Sequence, residues 1–71
     1  MNKGLLVDKI LEKGIDLSKL AILLGIDKMT LYRKISNRES FTIREAEILK
    51  DILDLTNLEA LEIFLDRKGG F

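Results

Sequence analysis

Short runs of aliphatic residues recur along the chain three or four positions apart, the spacing of amphipathic helices. Leu6, Val7, Ile10 and Leu11 follow this spacing, and Gly14 comes after them, where a left-handed residue often ends a helix. The β-branched residues are scattered and no Asn-Gly hairpin dipeptide occurs. The pattern therefore predicts a first helix ending before Gly14, and no strand.

A second helix is predicted between two residues that mark helix boundaries. Asp16 can cap its amino end by accepting hydrogen bonds from the free backbone amides of the first turn. The apolar face that begins at Leu20 stops at Gly25, which suits a sharp turn because glycine adopts positive φ without strain. The helix is therefore about two turns long.

A third helix is predicted directly after this turn. Asp27 can cap it, and Leu31 and Ile35 form an inward pair at i, i+4 in a helix of about residues 28–35. Two short helices joined by a tight turn make a helix-turn-helix arrangement. We therefore expect this unit at about residues 17–36.

Two capping boxes predict the helices of the carboxyl-terminal half. Thr42 is followed three residues later by Glu45, which predicts a fourth helix reaching about Leu53. Thr56 and Glu59 repeat the spacing, which predicts the start of a fifth helix. Both helices therefore begin at a threonine.

The fifth helix is expected to bury the stripe of Leu58, Leu61 and Leu65. Arg67 and Lys68 would then lie at its carboxyl end, where the helix dipole favours cations. A chain of 71 residues has room for one core. Residues 1–71 are therefore predicted to form a single all-α domain of five helices.

The charges are balanced in number but not in position. The chain has 12 basic and 12 acidic residues, which argues against a polycation that coats nucleic acid without specificity. Segment 26–38 nevertheless carries four bases and one acid, whereas segment 39–66 carries two bases and eight acids. The basic segment contains the predicted third helix.

Several function classes are excluded by what the sequence lacks. It has no Cys and no His, so disulfides, thiolate metal sites and imidazole bases are absent. No glycine-rich phosphate loop occurs and no serine has a histidine to activate it, so we expect no enzyme, cofactor, metal or small-molecule ligand. No apolar run approaches the roughly 18 residues of a membrane span, and no signal-peptide core is found, which predicts a cytoplasmic protein.

The stretch LAILLGIDKMTLYRKI, residues 20–35, resembles the λ-repressor-like helix-turn-helix family, and within it the small Cro-like and repressor-modulating proteins of temperate phages. The resemblance extends from about residue 3 to residue 66. It implies a five-helix λ-repressor-like domain that binds double-stranded DNA as a sequence-specific regulator in a phage lysis/lysogeny switch, in the cytoplasm of a bacterial host cell. It rests on Leu20-Ala21, Gly25-Ile26, the capping residue at 27, Leu31 and Ile35.

The resemblance implies that the third helix lies in the major groove. Lys28 and Arg33 can donate to guanine acceptors, and Met29 can contact a thymine methyl group. The four residues implied to read bases are Lys28, Met29, Tyr32 and Arg33.

Other polar residues around the unit are interpreted as phosphate contacts, which position a protein on DNA without specifying sequence. They lie in the second helix and around the end of the third. The residues are Lys19, Lys34, Asn37 and Arg38.

An alternative function is a protein-interaction module that binds a partner phage repressor and alters or blocks its DNA binding. The family often has a polar residue at the first position of the second helix, but this chain has Leu17. Leu17, Met29 and Tyr32 would together place apolar surface on the face expected to meet a polyanion. These three residues are therefore the candidate contacts with a partner protein.

A homodimer is also expected, because one module buries too little DNA surface to be selective. Four apolar residues of the acidic half exceed what one core stripe needs, and they are the candidate dimer contacts. They are Ile48, Ile63, Phe64 and Phe71.

Overall fold

The computed structural model describes residues 1–65, and within that range it contains five helices and no strand. The all-α prediction is confirmed. Arg67, Lys68 and Phe71, to which the sequence assigned roles, lie outside the described residues. The helices are α1 (Lys3–Lys13), α2 (Leu17–Leu24), α3 (Lys28–Ile35), α4 (Ile43–Ile52) and α5 (Asn57–Phe64).

The helix ends follow from the residues that flank them. Asp16 and Asp27 cap α2 and α3, and the Asp27 carboxylate accepts from the Thr30 backbone N–H at 2.6 Å. Gly25 ends α2 with φ at +73°, in the left-handed region that a side chain would strain. The turn between α2 and α3 is therefore fixed from both sides.

Both predicted capping boxes form. The Thr42 hydroxyl oxygen accepts from the Glu45 N–H at 3.1 Å, and the Glu45 carboxylate accepts from the Thr42 N–H at 2.8 Å. Thr56 and Glu59 make the same reciprocal pair at the start of α5. Each box satisfies two backbone donors that the first turn of a helix leaves free.

The core receives one fully buried side chain from every helix, from Leu6 in α1 to Ile63 in α5. The inward pair of α3 is confirmed, since Leu31 and Ile35 are both buried. The other fully buried side chains are Leu20 and Leu49. No helix within residues 1–65 combines the length and the apolar character needed to cross a membrane.

The predicted inward face of α5 is wrong. Leu58, Leu61 and Leu65 remain 66%, 49% and 48% exposed, whereas Ile63 and Phe64 are buried. The helix carries apolar residues on two faces, and the aromatic ring decides which one packs inward. The Phe64 ring meets the Phe41 ring edge to face, with centroids 6.0 Å apart.

This orientation also corrects the expected dimer contacts. Ile63 and Phe64 belong to the core, and Ile48 is half-buried against it. These three residues are not surplus apolar surface. The surplus lies on the opposite face of α5.

Candidate nucleic-acid interface

The α2–α3 unit is held by a tight turn and a small residue at the helix contact. Ala21 is almost fully buried, and its carbonyl accepts from the Ile26 N–H at 3.0 Å. The Gly25 N–H donates to the Ile22 carbonyl at 3.0 Å. These hydrogen bonds are accepted by backbone carbonyls that the last turn of α2 leaves free, and they direct the chain into α3.

Three of the four residues assigned to base contacts share the exposed face of α3. Lys28, Met29 and Tyr32 are all exposed, while Leu31 and Ile35 point into the core. The Lys28 ammonium lies 5.9 Å from the centroid of the Tyr32 ring, one helical turn away. The exposed face therefore combines a cation, an aromatic ring and a flexible thioether.

Arg33, the fourth of these residues, is half-buried and held by a neighbouring acid. Its Nε donates to the Glu39 carboxylate at 3.1 Å. This bond uses one of the five donors of the guanidinium group and leaves the two terminal nitrogens as further donors. Glu39 therefore orients the Arg33 side chain and leaves the other donors of its guanidinium group available.

Lys34 does not fit its predicted role as a phosphate contact. Its ammonium donates to the Glu45 carboxylate at 2.8 Å and to the Ser40 carbonyl at 3.1 Å. The Lys34 and Glu45 side chains are each only 9% exposed. Because a charge in this position needs its partner, Lys34 links the end of α3 to the start of α4 and is not free to meet DNA.

The carboxylate of Glu45 stays ionised in this environment. Burial acts to raise its pKa, but hydrogen bonds from Lys34 and from the Thr42 N–H outweigh that effect and lower the pKa below its usual value. The pKa of Asp27 is also lowered, chiefly by hydrogen bonds from the Thr30 side chain and backbone. Both acids therefore support α3 as anions.

The remaining predicted phosphate contacts are exposed. Lys19 lies in the first turn of α2, and Asn37 and Arg38 follow the end of α3. Asn37 has φ at +65°, a left-handed conformation that asparagine tolerates better than most residues, so it also ends the helix. Lys19 and Arg38 are the accessible cations of this set.

Leu17 fits its predicted partner-binding role poorly, because it is half-buried and packs against the core. The apolar exposure of α2 instead comes from Ile22, which the sequence pattern did not single out, and from Leu23, which that pattern wrongly placed on the apolar face of the helix with Leu20. The sequence of α2, LSKLAILL, indicates this exposure, because it has more aliphatic residues than one face of a helix can bury.

Comparison with known proteins gives no match to a family model, to a curated protein or to a solved structure. Residues 1–65 also contain no group of three or more acidic side chains placed to hold a metal ion. The arrangement of α2 and α3 is therefore the main guide to function.

Proposed function

We propose that this protein is a sequence-specific DNA-binding regulator with a λ-repressor-like fold, and that its α2–α3 unit acts as a helix-turn-helix. The observation that carries the proposal is the outward row of Lys28, Met29 and Tyr32 on a helix whose other side is anchored in the core. Such a helix can enter the major groove without disturbing the fold.

The supports of α3 fit this function. Asp27 caps its amino end, and the buried pair of Lys34 and Glu45 ties its carboxyl end to α4. A base-reading helix must hold its side chains in a fixed geometry, because hydrogen bonds to base edges are directional. The helix is short, and these contacts compensate for its low intrinsic stability.

Base recognition is assigned to Arg33 and Lys28, with Met29 and Tyr32 as apolar and hydroxyl contacts. The terminal nitrogens of Arg33 can donate to the O6 and N7 atoms of a guanine, with Glu39 holding the guanidinium group in place. Lys19 and Arg38 are assigned to phosphates on either side.

The first test is a DNA titration of the purified protein, with a random duplex and with the DNA upstream of its own gene. The proposal predicts tighter binding to the upstream fragment, with affinity that falls as salt is raised. Arg33→Ala should weaken binding to the specific site by about 1 to 3 kcal/mol, whereas Arg38→Ala should weaken all DNA alike and reduce the salt slope by about 1.

Lys13→Ala is the matched control, because this lysine lies on α1 and pairs with Asp54, which follows α4. It removes the same type of charge and should leave DNA binding unchanged. Equal losses in Lys13→Ala and Arg38→Ala would show a nonspecific charge effect. No binding to either DNA, even near about 50 mM salt, would reject the proposal.

A second candidate function is the binding of a partner repressor, which would alter or block that repressor's DNA binding. It is favoured by the exposed Ile22, Leu23 and Met29, and by the loss of Lys34 from the free cations of this face. Apolar surface rimmed by charge is common in protein interfaces.

This candidate is tested by mixing the protein with the repressor encoded by the neighbouring gene and measuring complex formation. Met29→Glu should abolish the complex while the thermal unfolding temperature stays unchanged, because the side chain is exposed. An unchanged complex would exclude α3 as the contact.

A further inference from the structure

Glu39 is an acid beside the most basic part of the chain. Segment 26–38, which contains α3, carries four bases and one acid, and Glu39 follows it directly. The Glu39 carboxylate accepts from Nε of Arg33 at 3.1 Å, and the Arg33 and Glu39 side chains remain 42% and 44% exposed. An exposed acid at this place repels phosphates and so weakens binding to all DNA. Its position therefore calls for a role other than attraction to DNA.

The turn after α3 brings the Glu39 side chain back onto Arg33. The carbonyl of Arg33 accepts from the Arg38 N–H at 2.9 Å and from the Glu39 N–H at 3.3 Å. The Ser36 hydroxyl donates to the same carbonyl at 3.2 Å, and Asn37 turns the chain with its left-handed φ of +65°. Glu39 is therefore joined to Arg33 through both backbone and side chain, which fixes its carboxylate beside the guanidinium group.

The hydrogen bond to Glu39 limits how Arg33 can recognise a partner. A guanidinium group forms two parallel hydrogen bonds either through Nε and one terminal nitrogen or through both terminal nitrogens. With Nε donating to Glu39, the arrangement through both terminal nitrogens remains. This arrangement matches the adjacent O6 and N7 acceptors of guanine.

The charge of Glu39 acts differently on the two kinds of acceptor in DNA. Phosphates are anions and attract a free guanidinium group whatever the sequence. A carboxylate 3.1 Å from Nε offsets much of that attraction, because a phosphate then meets an ion pair with no net charge. The O6 and N7 atoms of guanine are neutral, and their hydrogen bonds depend mainly on the direction of the donors. The ion pair therefore favours a guanine edge over a phosphate.

We propose that Glu39 is a specificity-determining residue, which keeps the guanidinium group of Arg33 from phosphates and reserves its terminal nitrogens for a guanine of the specific site. The pairing weakens binding to DNA in general but enlarges the ratio of specific to nonspecific affinity. The inference rests on the proposed DNA-binding function and deepens it, because it identifies the acceptor that the site rejects as well as the one that it reads.

The experiment measures the affinities of the wild type and of Glu39→Ala for the upstream fragment and for a random duplex, at several salt concentrations. Glu39→Ala should bind the random duplex more tightly and steepen its salt dependence by about 1, because one more cation is free to meet phosphates. The ratio of specific to nonspecific affinity should fall at least about tenfold. A merely structural role for Glu39 would instead weaken binding to both duplexes.

Two further variants separate the charge of Glu39 from its effect on orientation. Glu39→Gln keeps an oxygen that can accept from Nε of Arg33 but removes the charge. It should steepen the salt dependence as Glu39→Ala does and lower the ratio less. In the Arg33→Ala background, Glu39→Ala should no longer change the ratio, because no guanidinium group remains to be directed. Glu39 is exposed, so all these variants should keep the circular dichroism spectrum of the wild type.

Glu62→Ala is the matched control, because it removes an exposed acid from α5, which packs against α1 and α4. It should leave the salt dependence and the ratio unchanged.

The outcomes separate this inference from the proposed function. If the wild type prefers the upstream fragment and Glu39→Ala has the same ratio, the inference is wrong and the proposed function stands. The same conclusion follows if Glu39→Ala weakens binding to both duplexes, or if Glu62→Ala lowers the ratio as much. If the wild type binds neither duplex, the proposed function is wrong and the inference fails with it.

Discussion

The helices α3 and α5 are both eight residues long, but they divide their residues between core and solvent differently. In α3 the aliphatic residues Leu31 and Ile35 are buried, and a lysine is buried beside them. In α5 the core takes Ile63 and Phe64, while three leucines on or next to the helix stay in solvent. Apolar character alone therefore marks the inner face of α3 but not that of α5.

The difference arises from what surrounds each helix. The outer face of α3 carries charged residues together with Met29 and Tyr32 but no aliphatic residue, so only one orientation buries its aliphatic pair. In α5 either face is apolar enough, and contacts with distant residues select one of them. The Phe64 ring packs against Phe41, and the Ile63 carbonyl accepts from the Asn2 N–H at 2.7 Å.

The largest effect on stability is expected from removing the buried lysine that distinguishes α3 from α5. Lys34→Ala leaves the Glu45 carboxylate buried without its cation, which should lower the free energy of unfolding by about 3 to 5 kcal/mol. Urea denaturation followed by circular dichroism measures this difference.

Lys19→Ala, at an exposed lysine of α2, is the control and should have an effect within about 0.5 kcal/mol. Lys34→Met combined with Glu45→Gln should recover much of the lost stability, because neither remaining side chain carries a buried charge. If Lys34→Ala and Lys19→Ala behaved alike, the pair would not be buried in solution.

The next largest effect separates the two faces of α5. Ile63→Ala should cost about 2 to 5 kcal/mol because it leaves a cavity in the core, whereas Leu58→Ala should cost less than about 0.5 kcal/mol apart from any dimer effect. The comparison needs a protein concentration low enough for the monomer. If Leu58→Ala lowered the free energy of unfolding more than Ile63→Ala, the leucine face of α5 would be the buried one, as the sequence pattern predicts.

Much of the fold could be predicted because its signals are local. Asp27 and Gly25 fix a helix start and a helix end within a few residues of themselves, and both capping boxes form as their spacing indicates. The inner face of α3 also followed from a single pair, Leu31 and Ile35.

What could not be predicted depends on contacts between residues far apart in the sequence. Lys34 has the same local pattern as a phosphate-binding lysine, and only the position of Glu45, eleven residues later, shows that it is buried. Leu17 likewise gives no local sign that it packs against the core. The burial of a long side chain is decided by the tertiary fold, so sequence patterns alone misplaced both.

The smallest effect concerns pH, and it compares Glu45, which supports α3, with Glu59 in α5. The pKa of Glu59 is lowered by hydrogen bonds from Lys9 and from the Thr56 N–H, and that of Glu45 is lowered despite burial. A carboxyl whose pKa is lower in the folded state adds stability above its usual value of 4.5, and this is lost as the pH falls through the folded pKa. The free energy of unfolding should therefore decrease as the pH is lowered from about 5. At low salt both Glu45→Gln and Glu59→Gln should flatten this decrease.

In about 1 M salt, which screens exposed pairs far more than buried ones, Glu45→Gln should keep most of its effect on the pH dependence, and Glu59→Gln should lose most of its own. Equal loss of both effects in high salt would mean that the Glu45 carboxylate is as open to solvent as that of Glu59.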